Sequence, residues 1–419
     1  MYTLDTLPSG LRVLTAPVDG TESVTVLVFC GAGSRYETNN ERGISHFLEH
    51  MFFKGGKKYV NTQQVSAAIE GVGGDFNAFT GKEYAGYYVK VAHPQTELAC
   101  DVLSDMLLHA SFPPDEIDKE RGVIIEEKRM YEDTPMYRAG WDFEEMMLGD
   151  CPLGWDTIGT EEVINKVTQA DFQRHKDELY TADNTVITFS GHITQEQALA
   201  FAEKYFGTLG GKKAKTYLPF EKFHDKRVWL RQKETEQAHL VLGLPGVPSQ
   251  HPDHFAQKLL GIILGGNMSS RMFLRIREAR GMCYYISTDV DSYMDAGIIS
   301  TRAGIDQSRV GEAVAAIRHE YDVCAKDGVE QDELQRAKDY LKGRITLSLE
   351  DSEERANFLG KQALMYPHIR DTQEYFACID AVTKEHVDGV AKRLLRTEEL
   401  RLVVLGKGGD EAAMKKLLA

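Results

Sequence analysis

Four pairs of landmarks recur in this sequence at nearly constant spacing. Gly55-Gly56, after an apolar helical pattern, has a counterpart in Gly265-Gly266 after "FAQKLLGIIL", 210 positions on. Ala85-Gly86 in "EYAGYYVKV" matches Ala296-Gly297 in "MDAGIISTRAG", 211 positions on. Gly191, closing "VITFSG", matches Gly406, closing "LRLVVLG", 215 positions on. "NTQQVSAAIEGVGG" and "SSRMFLRIREARG" also correspond, each an amphipathic helical pattern ending in Gly. Offsets this steady point to a duplicated domain of about 200 residues, inside the usual domain range. The Gly/Lys-rich stretch "GTLGGKKAKTYLP" interrupts the periodic segments near the midpoint and reads as a linker. The predicted division is 1–210, a linker at 211–224, and a second domain of similar fold at 225–419.

Within each half, apolar and polar residues alternate in "ESVTVLVFC", "GYYVKVA", "QAHLVLGL" and "GIISTRAGI". Alternation implies sheets with one buried face, and such sheets are mainly antiparallel. Helical patterns lie between them, for example Thr96 to Ala110 and Glu330 to Leu349. The predicted fold class is α+β: two duplicated domains, each a mainly antiparallel sheet covered by helices on one face.

Composition narrows the function. With 419 residues and a formal charge of −15, phosphate-backbone binding is disfavoured as a main task, so no nucleic-acid partner is expected. No run of about 18 apolar residues occurs, so no membrane span is expected. The N-terminus shows neither a signal peptide nor a transit peptide, which makes a cytoplasmic location the expectation, a removed leader aside. The six cysteines are scattered without a C-x-x-C pair, as suits reduced thiols.

One stretch carries chemistry. "GISHFLEHMFFKGGKK" sets His46, Glu49 and His50 in an apolar run, where unpaired charge is costly. The spacing predicts a helix from Ile44 to Lys54. On it His46 and His50 lie about 40° apart on one face, able to reach one zinc ion. Glu49 stands one step away, placed to take a proton from water without ligating. H-x-x-E-H is the inverted zinc motif, and two histidines leave a third protein ligand to be found. The candidate source is "DEIDKERGVIIEEKRMYEDTP", a helix begun by Pro113-Pro114 and acidic residues. Glu120 and Glu127, seven apart, share a face; one could ligate while the other orients a histidine.

Together these residues resemble the pitrilysin family of zinc metallopeptidases, in particular the mitochondrial processing peptidase β-subunit and its short bacterial relatives. In that family the third ligand is a Glu 76 residues after the second His, which matches Glu127; the supporting acidic residue seven positions earlier matches Glu120. "GGDFNAFTGKEYAGYY" is similar to the family's substrate-binding edge strand, with Asn77 and Ala78 at its "NA". "YEDTP", "LGWDTIGT" and "YTADN" match further landmarks, and "LGGNMSSRMFLRIREARGMCYY" resembles a second-half segment. There the family has an Arg and a Tyr that contact substrate and the tetrahedral intermediate, and Arg277 and Tyr284 match them. The resemblance implies a zinc (Zn2+) endopeptidase for unfolded or extended, presequence-like peptides, working in a dimeric chamber without ATP. A homodimer is implied because the zinc set and the Arg/Tyr pair occur in one chain; a heterodimer with a related subunit is the variant. The rival is a non-catalytic scaffold subunit or peptide-binding partner.

Other candidates are set aside. His251 and His254 flank Pro252 in a turn predicted to be capped by Asp253. His93, His109, His192 and His224 have no partner spacing and read as structural or exposed. Gly265-Gly266-Asn267 lacks the phosphate-loop frame, and Cys283 has no acid–base partner.

Overall fold

The computed structural model describes residues 2–407 and 409–418. It divides into two compact units. The first comprises 1–128, 155–218 and 345–373; the second comprises 129–154, 219–344 and 374–419.

The first unit is built on strands β1 (Thr3–Thr6), β2 (Arg12–Pro17), β3 (Ser23–Cys30), β4 (Asp75–Thr80), β5 (Ala85–Ala92) and β6 (Thr185–Gly191). Their order across the sheet is β1-β2-β6-β3-β5-β4, so β4 is an edge strand paired only with β5. Every pairing is antiparallel except β2 with β6. The second unit holds β7 (Val228–Gln232), β8 (Gln237–Gly246), β9 (Cys283–Ser292), β10 (Gly297–Asp306) and β11 (Arg401–Gly406), ordered β7-β11-β8-β10-β9. Again one pairing is parallel, β7 with β11. Removing β1 leaves the same five-strand order in both sheets. The duplication seen in the glycine offsets is therefore a duplication of topology: β5 and β10 begin within one position of each other on the matched Ala-Gly pairs, and β6 and β11 end at Gly191 and Gly406.

Helices local in sequence cover one face of each sheet, as predicted. Thr96–His109 packs on β3 and β5, and Gln195–Phe206 packs on β2. The other face of the first sheet is covered too, by the distant helix Ser352–Met365 lying across β3, β6 and β2. Thr25, which strand alternation assigns to the outer face, is fully buried there and shares a 2.8 Å hydroxyl contact with Ser352. Leu27 and Phe29 meet Ala356 on that same face. The second unit mirrors this with Pro135–Leu148, whose Phe143 and Met146 join Val241, Ile298 and Val403 in one core. Each sheet thus takes one covering helix from the other half of the sequence. The stretch 209–224 forms no helix or strand.

Two local expectations change. "SSRMFLRIREARG" is not a regular α-helix: Phe273–Glu278 is a π-helical turn, a form common at functional sites. Asp253 does occupy the N-cap position of His254–Gly265 but makes no capping hydrogen bond. Its carboxylate pairs instead with His386 at 2.8 Å and with Arg393.

Candidate metal centre

The helix Ile44–Phe52 is placed by its N-terminus. Gly43 precedes it with φ +94°, and an added Cβ would sit 2.0 Å from the Ile158 carbonyl oxygen, so only glycine fits. No Ser or Thr caps the helix. The buried Glu37 carboxylate does so from a distance, accepting the N–H groups of Gly43 at 2.7 Å and Ser45 at 2.9 Å. Burial pushes the Glu37 carboxyl up to about 7 despite those bonds. Ile44, Phe47, Leu48, Met51 and Phe52 are buried, which leaves His46, Glu49 and His50 toward the helix's more open side.

Ser45 makes a second anchor, a 3.1 Å contact from its hydroxyl to Nε2 of the fully buried His175. Burial pulls His175 down to about 3 from an ordinary value of 6.5. Between those values the unfolded chain binds more protons than the folded one, so the His175 contribution to stability falls as pH drops through that window. Glu37, held high, works in the opposite sense. Comparison with His175→Gln isolates the histidine. Below pH 6.5 the wild-type chain is expected to lose up to about 1.4 kcal/mol per pH unit more than the variant. Urea unfolding at pH 7.5, 6.5 and 5.5 checks this; parallel pH dependences would contradict it.

The second helix, Pro114–Asp133, opens on proline with Asp115 and Glu116 in its first turn. Its buried face runs through Ile117, Glu120 and Ile124, and Glu127 continues that row. Arg121 fixes the helix by donating to the carbonyls of Ile164 and Val167.

The two helices bring His46, His50 and Glu127 together, with one ligand atom from each within 4.8 Å of the others. Glu127 Oε2 lies 3.6 Å from His46 Nε2 and 3.5 Å from His50 Nε2. These separations are too long for good hydrogen bonds. They are close to the edge of about 3.3 Å that a tetrahedral zinc site with 2.0–2.1 Å bonds requires. His50 Nδ1 meets Glu120 Oε1 at 2.9 Å, which leaves Nε2 free to face Glu127. Glu120 is itself held by the Lys54 ammonium. His46 has no such support: its buried Nδ1 has no hydrogen-bond partner. The donor set, its spacing and the free Nε2 atoms all fit a zinc ion.

Without metal, burial disfavours a charged His50, but the Glu120 hydrogen bond and the Glu127 carboxylate outweigh it and push the imidazole up to about 9. Burial, then the neighbouring His50, pulls His46 down to about 4. Glu49 stands beside the cluster. Burial raises its carboxyl above the ordinary range, and Thr80 Oγ1 donates to its Oε2 at 2.5 Å.

Asn77 and Ala78 lie on the edge strand β4, which ends at Thr80. Asn77 is exposed, its side-chain oxygen accepting the Ala78 N–H at 2.9 Å. Arg277 and Tyr284 belong to the second unit. There Arg277 Nε donates to the Tyr284 carbonyl at 3.0 Å, and the guanidinium lies 4.5 Å from the Phe273 ring. Tyr284 is 77% exposed, with its phenol open to solvent. Sequence reasoning missed Thr80, Lys54 and Glu37. Lys54 carried a signal, since the helix expected from the sequence ran to Lys54, four residues after His50, although the helix itself ends at Phe52. Thr80 and Glu37 carried none, because each reaches the site through tertiary contacts.

In this duplicated α+β chain two imidazoles and a carboxylate converge within reach of one metal ion. Residues 12–147 match the family described as insulinase (peptidase family M16), and residues 166–341 match the peptidase M16 inactive domain. An uncharacterized zinc protease of Bacillus subtilis is 34% identical over 405 residues, covering 97% of this chain and 98% of the relative. This chain belongs to peptidase family M16. Among solved structures, a peptidase M16 inactive domain from Pseudomonas fluorescens superposes with a TM-score of 0.91 at 19% identity, covering 98% of both chains. A chain of complex III2 from Candida albicans gives 0.84 at 19% identity, covering 100% of this chain and 99% of that one. At such identities these two speak to the fold alone. Among the described residues no helix is long and apolar enough to cross a membrane.

Proposed function

We propose that this chain is a zinc endopeptidase acting on unfolded or extended peptides. One observation carries the reading: His46, His50 and Glu127 converge from two helices with Glu49 alongside. In it, His46, His50 and Glu127 hold the metal, and Glu120 fixes the His50 ring. Zinc, when bound, supplies the Lewis acidity that polarises a peptide carbonyl and makes water nucleophilic near neutral pH.

The side chains do the rest. Glu49 Oε2 is occupied by Thr80, so Oε1 is the atom that takes a proton from the attacking water. The same carboxyl returns that proton to the leaving amide nitrogen as the C–N bond breaks. The free edge of β4 receives an extended peptide as an added strand, with Asn77 and Ala78 along it. Such an edge selects against folded substrates, whose backbone groups are already paired. The exposed Tyr284 phenol and the Arg277 fork suit an oxyanion or peptide carbonyl. Because zinc set and Arg/Tyr pair occur in one chain, a homodimeric chamber is the simplest assembly.

The test is cleavage of quenched peptides by the purified chain, by the chain stripped with a chelator, and by the stripped chain given zinc back. Cleavage lost on stripping and restored by zinc is the expected result. Equal cleavage in all three would exclude zinc hydrolysis, and none in any would leave the rival reading of a non-catalytic subunit. Glu120→Gln is expected to weaken zinc binding about 10- to 100-fold, because it loosens the His50 ring and lowers its basicity. Competition against a chromogenic chelator reads that shift, and an unchanged affinity would remove Glu120 from the site.

A further inference from the structure

We infer that Glu22, His93 and His192 form a second site, on the surface of the first unit, for a divalent transition-metal ion. The three residues are far apart in sequence and show no ligand spacing. The sheet brings them together. Glu22 immediately precedes β3, His93 immediately follows β5, and His192 immediately follows β6. Those strands are neighbours in the order β6-β3-β5. Their register sets Ser23 opposite Ala92 and Val24 opposite Gly191, so all three side chains leave the same end of the sheet.

The backbone there is fixed. His93 N–H donates to the Glu22 carbonyl at 2.8 Å, and His192 N–H donates to the Ser23 carbonyl at 2.9 Å. The three residues sit one position beyond their strands, and these two hydrogen bonds tie His93 and His192 to the Glu22–Ser23 backbone. The side chains converge as well: Glu22 Oε2 lies 3.3 Å from His93 Nε2 and 3.8 Å from His192 Nδ1. The two imidazole rings are stacked, with centroids 4.2 Å apart and planes 16° from parallel; because a nitrogen lone pair lies in its ring plane, one ring must turn out of the stack for both to reach a single ion. One possible ligand atom from each residue falls within 4.8 Å of the others.

His192 Nδ1 also lies 3.0 Å from the Thr21 carbonyl oxygen. A carbonyl only accepts, so that nitrogen carries the proton, and Nε2, which keeps its lone pair, is the atom the His192 ring would present to an ion. A backbone carbonyl on the far nitrogen is the usual support of a metal-bound histidine. Among the described residues no Lys or Arg pairs with the Glu22 carboxylate; its ion-pair partners are the two imidazoles. Two imidazoles and one carboxylate suit Zn2+, Ni2+ or Cu2+, and they do not suit Mg2+ or Ca2+, which take oxygen ligands. A bound ion would tie the ends of three strands together, away from the residues assigned to catalysis.

Ni2+ titrated calorimetrically into the metal-free full-length chain tests this. Wild type is expected to take up two equivalents, and His93→Ala and His192→Gln one each. Cleavage of peptide by the zinc-loaded variants is expected to stay within about twofold of wild type, and their unfolding in chelator to match it. The His46→Ala/His50→Ala chain is expected to keep one equivalent, which separates this site from the proposed catalytic one. A single wild-type equivalent that persists in His93→Ala and His192→Gln would overturn the inference. So would two equivalents retained in both His93→Ala and His192→Gln.

Discussion

Glu49→Gln is expected to lower kcat for peptide cleavage by about 10²- to 10⁴-fold, the usual contribution of a positioned general base, and to leave the zinc content at the wild-type level. The substitution is nearly isosteric. Its amide oxygen can still accept the Thr80 hydroxyl that now reaches Glu49 Oε2. What it cannot do is accept a proton at the second position. Glu49 lies beside the ligand set without belonging to it, since the converging atoms are those of His46, His50 and Glu127. Metal content and turnover should therefore separate. Zinc analysis and steady-state kinetics on the same preparation read both quantities. Turnover equal to wild type would assign the proton transfer elsewhere.

His50→Ala is expected to fail in a different way, losing zinc and cleavage together. The imidazole is the hub of the site, meeting Glu120 through Nδ1 and Glu127 through Nε2. Its removal leaves two ligands on different helices, fewer than the three protein ligands a catalytic zinc keeps. Metal polarisation is worth several kcal/mol, so cleavage should fall by at least about 10³-fold. The fold should persist, because His50 is only partly buried while the helix is anchored by Phe47, Leu48, Met51 and Phe52. Glu120 would also keep its Lys54 partner. A chain that melts like wild type yet holds one zinc fewer than wild type is the expected result. Zinc content equal to that of wild type in His50→Ala would exclude this imidazole as a ligand.

What could be read from the sequence follows from how local each signal is. The H-x-x-E-H spacing lies within one helical turn, so helix geometry alone puts His46 and His50 on one face. The strand patterns and paired glycines are local too, and their repetition gave the two-sheet plan. The third ligand was not local. Seven-residue spacing on the second helix could not decide between Glu120 and Glu127, and only the resemblance to a known family separated them. The separation is visible in space: Glu120 meets Nδ1 of His50, and Glu127 faces both Nε2 atoms.

Three features stayed hidden because they depend on long-range pairing. The first is the exchange of covering helices, Pro135–Leu148 and Ser352–Met365, for which repeat matching has no signal. Thr25 looked like an outward-facing polar residue and is buried against Ser352. His93 and His192 looked solitary and stack at 4.2 Å, since only strand order makes them neighbours. In each case the residue type was visible and its partner was not.

The measurement that bears most directly on the metal centre is a zinc-edge anomalous diffraction map of the zinc-loaded chain. The expected result is a peak about 2.0–2.2 Å from His46 Nε2, His50 Nε2 and a Glu127 carboxylate oxygen, with Glu120 still on His50 Nδ1. Zinc found only elsewhere, with Glu127 turned away from the two histidines, would contradict it.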